Sequence, residues 1–325
     1  MSKNPLSEFG LNREQSGDDV IVPFTLDKLG CRGRSVRLGA AINTIISRHD
    51  YPDPVARVLG EAVVLATLIG SSLKFDGRFI LQTQSDGPIN MVIVDFDTPD
   101  GLRAYARFDH GKLLQYANEG KNSSKELLGK GHLAMSIDQG ADMERYQGVV
   151  ELDGNGFENA AHQYFEQSEQ IPTMVRLAVA QHQLRGQKTP QWRAAGVLVQ
   201  HLPKDKTDDE TLTQDDEFVD QNDKRENDWV EAKSLLSTLG DDELVDPDIS
   251  PERLLFRLYH ETGVRVFTPE HVIERCTCSA ERIEDMLANS FSPDDREKMI
   301  KNGNIVVKCE FCSTEYHFNP NQFDI

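Results

Sequence analysis

No stretch of the 325-residue chain holds the roughly 18 consecutive apolar side chains that a membrane helix needs. The opening residues, Met1-Ser2-Lys3-Asn4-Pro5, lack the apolar core of a secretory signal. Together these absences predict a cytoplasmic protein. Positive charge is also short: 35 basic residues face 54 acidic ones, a formal net charge of −19. Such an excess repels nucleic acid and anionic membranes, so neither is expected as a partner, and it keeps a sticky chain in solution. The isolated basic cluster at 32–37 reads as a solvated surface. No phosphate-cradling glycine loop, metalloprotease helix or nucleophile elbow is present, and no enzymatic activity is expected. Cysteine is scarce, with five in all.

Where those cysteines stand matters more than their number. Cys31 is alone and reads as an ordinary small apolar residue. Cys276, Cys278, Cys309 and Cys312 crowd the last fifty residues. In a cytoplasmic chain such a cluster points to metal binding or redox chemistry rather than a structural disulfide framework.

The first two hundred residues mix the two hydrophobic periods. Residues 21–26 are strand-like, with Pro23 arguing for an edge. A helical pattern from 38 to 73 breaks at Tyr51-Pro52-Asp53-Pro54, where Asp53 can cap a second helix. Strand-like runs follow at 78–83, 90–96, 102–108, 132–137 and 146–152, divided by turns such as Asp86-Gly87-Pro88 and Asp153-Gly154-Asn155-Gly156. Residues 160–168 read as helix, and 175–181 and 194–200 as two more strands. Strands in runs with grouped helices predict an α+β core domain over residues 1–203.

The composition then changes. Residues 204–228 carry eleven acidic and four basic side chains with only Leu212, Phe218 and Val219 to bury, which predicts disorder. From 229 to 239, Trp229, Ala232, Leu235, Leu236 and Leu239 mark one helical face. Ser250-Pro251 then opens a second helix over 252–260. Residues 204–262 are therefore expected to form a flexible, partly helical linker. The remaining module, 263–325, is expected to hold a helix starting near Ala280, a helix from Ser292-Pro293 to Gly303, and short strands at 305–308 and 315–318. At about sixty residues a hydrophobic core alone is marginal, and such a module needs a staple.

Two close thiol pairs supply what a tetrahedral zinc ion requires, each pair spanning one edge. His317 is a rival ligand. The Cys276–Cys278 pair has one intervening residue, so its α-carbons lie at most about 7 Å apart, within modest bending of disulfide reach. The Cys309–Cys312 spacing occurs in redox dithiols. Cys278 lies just before a helix start, where amides would favour thiolate. Metal binding to such a module is worth on the order of 10–16 kcal/mol of folding energy, which oxidation of the ligands would remove. From the residues alone, a permanent structural zinc site and an oxidation-sensitive one stand level. A thioredoxin-like role needs a βαβ context that this region lacks.

Several stretches, together with the cysteine pattern, resemble the 33 kDa heat-shock protein family of redox-regulated chaperones over nearly the whole chain. They are Arg32-Gly33-Arg34-Ser35-Val36-Arg37-Leu38-Gly39, Ser85-Asp86-Gly87-Pro88, Gly101-Leu102-Arg103-Ala104-Tyr105-Ala106-Arg107, Tyr146-Gln147-Gly148-Val149-Val150-Glu151-Leu152, Tyr164-Phe165-Glu166-Gln167-Ser168-Glu169-Gln170-Ile171-Pro172-Thr173 and Ala194-Ala195-Gly196-Val197-Leu198-Val199-Gln200. The resemblance implies that Cys276, Cys278, Cys309 and Cys312 bind one zinc ion while reduced. It implies that oxidation pairs Cys276 with Cys278 and Cys309 with Cys312. It further implies a segment over 229–262 that covers the core at rest, ATP-independent binding of unfolding proteins, and a homodimer when active. The acidic stretch 204–228 departs from the family pattern as an insertion.

Overall fold

The computed structural model describes residues 17–73, 76–140, 146–183, 188–202 and 216–323, with side chains in the last segment described from 225. In chain order the first elements are β1 (Val20–Leu26), β2 (Cys31–Leu38), α1 (Ala40–Ser47), α2 (Asp53–Gly70), β3 (Arg78–Ser85), β4 (Ile89–Asp97) and β5 (Gly101–Phe108). Next come α3 (His110–Asn118), α4 (Ser124–Leu128), β6 (Lys130–Asp138), β7 (Tyr146–Asp153), α5 (Gly156–Tyr164), β8 (Thr173–His182) and β9 (Gln191–His201). Two antiparallel sheets result. The first runs β8-β9-β2-β1, and the second runs β5-β4-β3-β6-β7.

Helix α2 is apolar nearly all round and is buried between the sheets, as such a pattern requires. Its contact with the first sheet is close: a Cβ on Gly196 of β9 would come within 2.6 Å of Val64, and one on Gly60 of α2 within 2.8 Å of Val179. Strand side chains alternate between faces. Ile21, Val36, Leu38 and Leu198 enter the inner core with α2, while Val20, Val22, Phe24, Leu26, Val197 and Val199 point outward. An outward apolar face of that size needs a cover.

The cover is the segment read as a linker. Helix α6 (Asp216–Ser237), α7 (Asp241–Val245) and α8 (Pro251–Tyr259) lie across the outer face. Ala232, Leu236, Leu239, Leu254, Leu255 and Tyr259 complete a second core there, with Tyr259 stacked on Phe24 at 6.2 Å. The Ser250 cap holds, its hydroxyl accepting from the Arg253 amide at 3.3 Å. The expected disorder does not extend over 216–228, which is helical; its residues 204–215 lie outside the described residues. Once 229–237 is anchored, each added residue gains a backbone bond at little nucleation cost, so a polar extension can follow without a core of its own.

The chain then returns to both sheets through three two-residue strands: β10 (Arg265–Val266) and β11 (Glu270–His271) on β1, and β12 (Ile273–Glu274) parallel on β5. Strand β1 is therefore not an edge. Its outer side is covered in two pieces that leave Pro23, which has no amide to donate, opposite the gap.

Arg32 of the basic cluster at 32–37 is exposed as expected, but Arg34 is half-buried and Arg37 buried, so the cluster as a whole is not a solvated surface. It lies in β2, where Arg37 is 4% exposed, contacts Asp18 at 3.2 Å and donates to the Ile249 carbonyl. Helix α2 starts at Asp53 itself, with Pro52 supplying the capping carbonyl at 2.9 Å to Val55.

The last elements are α9 (Ala280–Ser290), α10 (Pro293–Lys298), β13 (Ile300–Lys301), β14 (Asn304–Lys308) and β15 (Glu315–Phe318), the strands forming a small third sheet. Helix α10 stops short of the expected Gly303, because the Met299–Gly303 stretch turns back to pair β13 with β14. A third, small core of Ile283, Leu287, Ile305, Phe318 and Phe323 lies here. The fold is α+β as expected.

Candidate metal centre

The two cysteine pairs arrive by different routes. Strand β12 carries the chain along β5, the Arg275 amide donating to the Leu102 carbonyl at 2.8 Å, and Cys276-Thr277-Cys278 follow directly. Ser279 then caps α9, its hydroxyl accepting from the Arg282 amide at 3.3 Å. Cys309 and Cys312 occupy the turn between β14 and β15. There the Cys309 amide donates to the Thr314 carbonyl and the Ser313 amide to the Cys309 carbonyl, both at 2.9 Å, with Ser313 at φ 58°.

The four sulfurs lie within 4.8 Å of one another. Cys276 is 3.4 Å from Cys278 and 3.8 Å from Cys309, and Cys278 is 3.4 Å from Cys312. A tetrahedral zinc with bonds of about 2.3 Å sets its sulfurs roughly 3.8 Å apart, so the donors fit that ion in number, type and spacing. All four cysteines are partly buried and none is in a disulfide. Neighbour pairing is not singled out by distance, since Cys278 is as close to Cys312 as to Cys276. His317 stands outside the cluster, exposed beside Glu315.

Thiols packed this closely titrate together rather than singly. Burial pushes Cys278 up to about 12, against the hydrogen bond it accepts from the Tyr316 hydroxyl at 3.1 Å. At Cys312 burial acts upward too, but contacts with Thr314, Cys278 and Cys309 outweigh it and bring the thiol down to about 7. The pull toward thiolate expected at Cys278 from its helix start is thus stronger at Cys312, where the turn supplies more partners.

The cluster is docked against the second sheet. Arg103 of β5 donates to Thr277 Oγ1 at 2.9 Å and lies 4.2 Å over the Phe311 ring. Tyr105 meets the same ring edge-on at 4.9 Å. Just before α2, the His49 ring bonds the Phe311 carbonyl at 3.2 Å and the Ser313 hydroxyl at 3.3 Å. A cavity of about 400 Å³ opens beside this contact, lined by Tyr51, Tyr105, Arg107, Lys308, Cys309 and Glu310 among others.

The family model described as Hsp33 protein matches residues 19–319. A 33 kDa chaperonin of Caulobacter vibrioides is 45% identical over 306 residues, covering 93% of this chain and 95% of its own. One from Pseudomonas fluorescens is 32% identical over 302 residues, covering 93% and 91%. The chain belongs to the Hsp33 family. The crystal structure of a 33 kDa chaperonin from Thermotoga maritima has the same fold, with a TM-score of 0.71 at 21% identity over 94% of this chain and 97% of that one.

Sequence reasoning found the four sulfurs but missed Arg103, Tyr105, Phe311 and His49. The signal was there in part: in Gly101-Leu102-Arg103-Ala104-Tyr105-Ala106-Arg107 small and apolar residues alternate with large polar ones. That pattern assigns Arg103 and Tyr105 to the face away from the core.

Proposed function

We propose that this chain is a redox-regulated, ATP-independent chaperone of the cytoplasm, a holdase that binds unfolding proteins and limits their aggregation under oxidative stress. Cys276, Cys278, Cys309 and Cys312 hold one zinc ion while reduced. Oxidation forms Cys276–Cys278 and Cys309–Cys312, each bond made as two zinc-bound thiolates give two electrons to a peroxide, which takes two protons from solvent and leaves as water, and the metal would leave because its ligands are gone. The segment 204–262 then lifts from the core domain 1–203, the module 263–325 loosens, and two chains associate in the active form. Family membership supports the chaperone reading, and spacing and resemblance support the pairing.

The observation that carries the mechanism is the two-sided apolar contact beneath α6 and α8. Separating them uncovers Val22, Phe24 and Val199 on the sheet together with Leu236, Leu255 and Tyr259 on the helices. Surfaces of that kind hold non-native chains. Light scattering from a denaturing client tests this: the peroxide-treated protein is expected to suppress aggregation and the reduced, zinc-loaded protein not to. Equal suppression by both forms excludes the switch.

A second reading, a constitutive zinc-containing binding module, draws support from the separate small core of Ile283, Leu287, Ile305, Phe318 and Phe323, which can hold the module when its thiols oxidise. A chromogenic chelator present during oxidation separates the two, since only the switch releases zinc.

A further inference from the structure

We propose that Arg103 is the positioning residue of the four-cysteine site, one guanidinium that ties both cysteine pairs to the second sheet and sets how firmly the site keeps its metal. This rests on the zinc reading above.

The guanidinium is used on every side. Its Nε and Nη2 donate to Asp95 Oδ2 at 2.8 and 2.5 Å, a carboxylate directly across the β4–β5 ladder and 4% exposed. Its Nη1 donates to Thr277, the residue between Cys276 and Cys278. Its flat face covers Phe311, one of the two residues between Cys309 and Cys312. The two cysteine pairs lie more than thirty residues apart in sequence, and Arg103 is a planar group in contact with the interior of each. Asp95 fixes the guanidinium, and the guanidinium in turn fixes the separation of the pairs.

Charge acts in the same direction. Four thiolates around a divalent cation leave two negative charges at a half-buried site, and a cation packed against both loops stabilises them. Arg282 also reaches this region, donating to the Thr277 carbonyl at 2.7 Å, but it is exposed and serves the first pair alone. A lysine at 103 keeps the charge but loses the fork and the flat face, so it cannot hold Asp95, Thr277 and Phe311 together. Partners that orient metal ligands are typically worth about ten- to a hundredfold in metal retention.

The test is the rate at which the full-length, reduced protein gives up zinc to a chromogenic chelator without oxidant, with circular dichroism melting as the check on folding. Arg103→Gln is paired with Asp95→Asn so that a buried carboxylate is not left with the more distant Arg78 alone, 3.7 Å away. The pair is expected to lose zinc about ten- to a hundredfold faster than wild type. Arg103→Lys is expected to restore less than half of that loss on a logarithmic scale. Adding Phe311→Leu to the double variant is expected to change little, because ring and guanidinium act through one contact. The cobalt-substituted site is expected to shift its absorption in the variants, a change in ligand geometry that lost core stability alone does not produce. A folded double variant with wild-type release kinetics overturns the proposal. Should the double variant not fold, Phe311→Leu and Thr277→Val carry the test, and wild-type kinetics in both overturn it. Zinc absent from the purified wild-type protein sinks the metal reading itself; zinc held equally by wild type and variants sinks only the role of Arg103.

Discussion

Glu61 shows how one side chain ties stability to pH. It lies on α2 and accepts a hydrogen bond from the Ser124 hydroxyl at 2.5 Å. Burial pushes its carboxyl up to about 7 from an ordinary 4.5, the Ser124 bond pulling down and the Glu158 and Asp241 carboxylates adding to the rise. A carboxyl raised in the folded state binds its proton more tightly there than in the unfolded chain. Its contribution is therefore fully present below pH 4.5 and is lost as pH climbs to about 7. Because part of Glu61 remains in contact with water, the loss is on the order of 1–2 kcal/mol. Glu61→Gln, which keeps a partner for Ser124, is expected to melt higher than wild type at pH 8 and equally at pH 4. A melting difference that does not change with pH would remove the carboxyl from the explanation. Residue chemistry of this kind was only partly legible in the sequence. Cys31, an ordinary small apolar residue from its sequence, is indeed buried, 1% exposed at the start of β2. The burial of Arg34 and Arg37 in β2 was not legible, because their partners Asp18, Ile249 and Glu270 come from elsewhere in the chain.

At the scale of elements, most strands of the two sheets could be read from alternation and turn residues, the end of α6 from its apolar face and α8 from its Ser250-Pro251 start. What the pattern could not give was the destination of those faces. Leu236 and Tyr259 are fully buried, yet nothing local says that they meet Phe24 and Val199. Polar contacts fix the orientation. Arg193 donates to the Val245 carbonyl at 3.0 Å while gripping Asp18 with both terminal nitrogens, and the Tyr259 hydroxyl donates to the Ala232 carbonyl at 3.2 Å. Truncating Leu236 to alanine removes a filled position from this second core, a change worth about 2–5 kcal/mol in a well-packed interior. The cost falls on the contact between helices and sheet, while α2 and its inner core are untouched. Leu236→Ala is therefore expected to raise protease cleavage within α6–α8 and to increase dye binding in the reduced protein, with the zinc content unchanged. Cleavage spread evenly over both sheets would place Leu236 in the global core instead. The cysteine site divides in the same way: four sulfurs at recognisable spacing are a local signal, whereas Arg103 and Phe311 are brought together only by the fold.

Across the whole molecule, the cover and the cysteine site are connected by a chain that is weakly held. After α8 the backbone touches β1 through β10 and β11 and β5 through β12, each only two residues long. Short pairings of this kind give little stability by themselves, since few backbone bonds offset the ordering of the segment. They persist because both ends are anchored, one by the apolar contact beneath α6 and α8, the other by the sulfur cluster docked on Arg103. Removing the second anchor leaves the cysteine end to the short β12 pairing, the ion pairs of Glu274 with Arg48 and Arg275 with Asp100, and Val272, which is buried in the inner core. Opening is then expected to start at the cysteine end and run backward through β12, β11 and β10 before it reaches the helices. Amide exchange followed after zinc removal reads that order directly. The amides of Arg275, Ile273, Val272 and Phe267, which donate to Leu102, Asp100, Asp19 and Pro23 across these pairings, are expected to lose protection first. Those within the β3–β6 ladder are expected to keep theirs. Simultaneous loss at Arg275 and in the β3–β6 ladder would mean that the sulfur cluster holds the whole fold, not the cover alone.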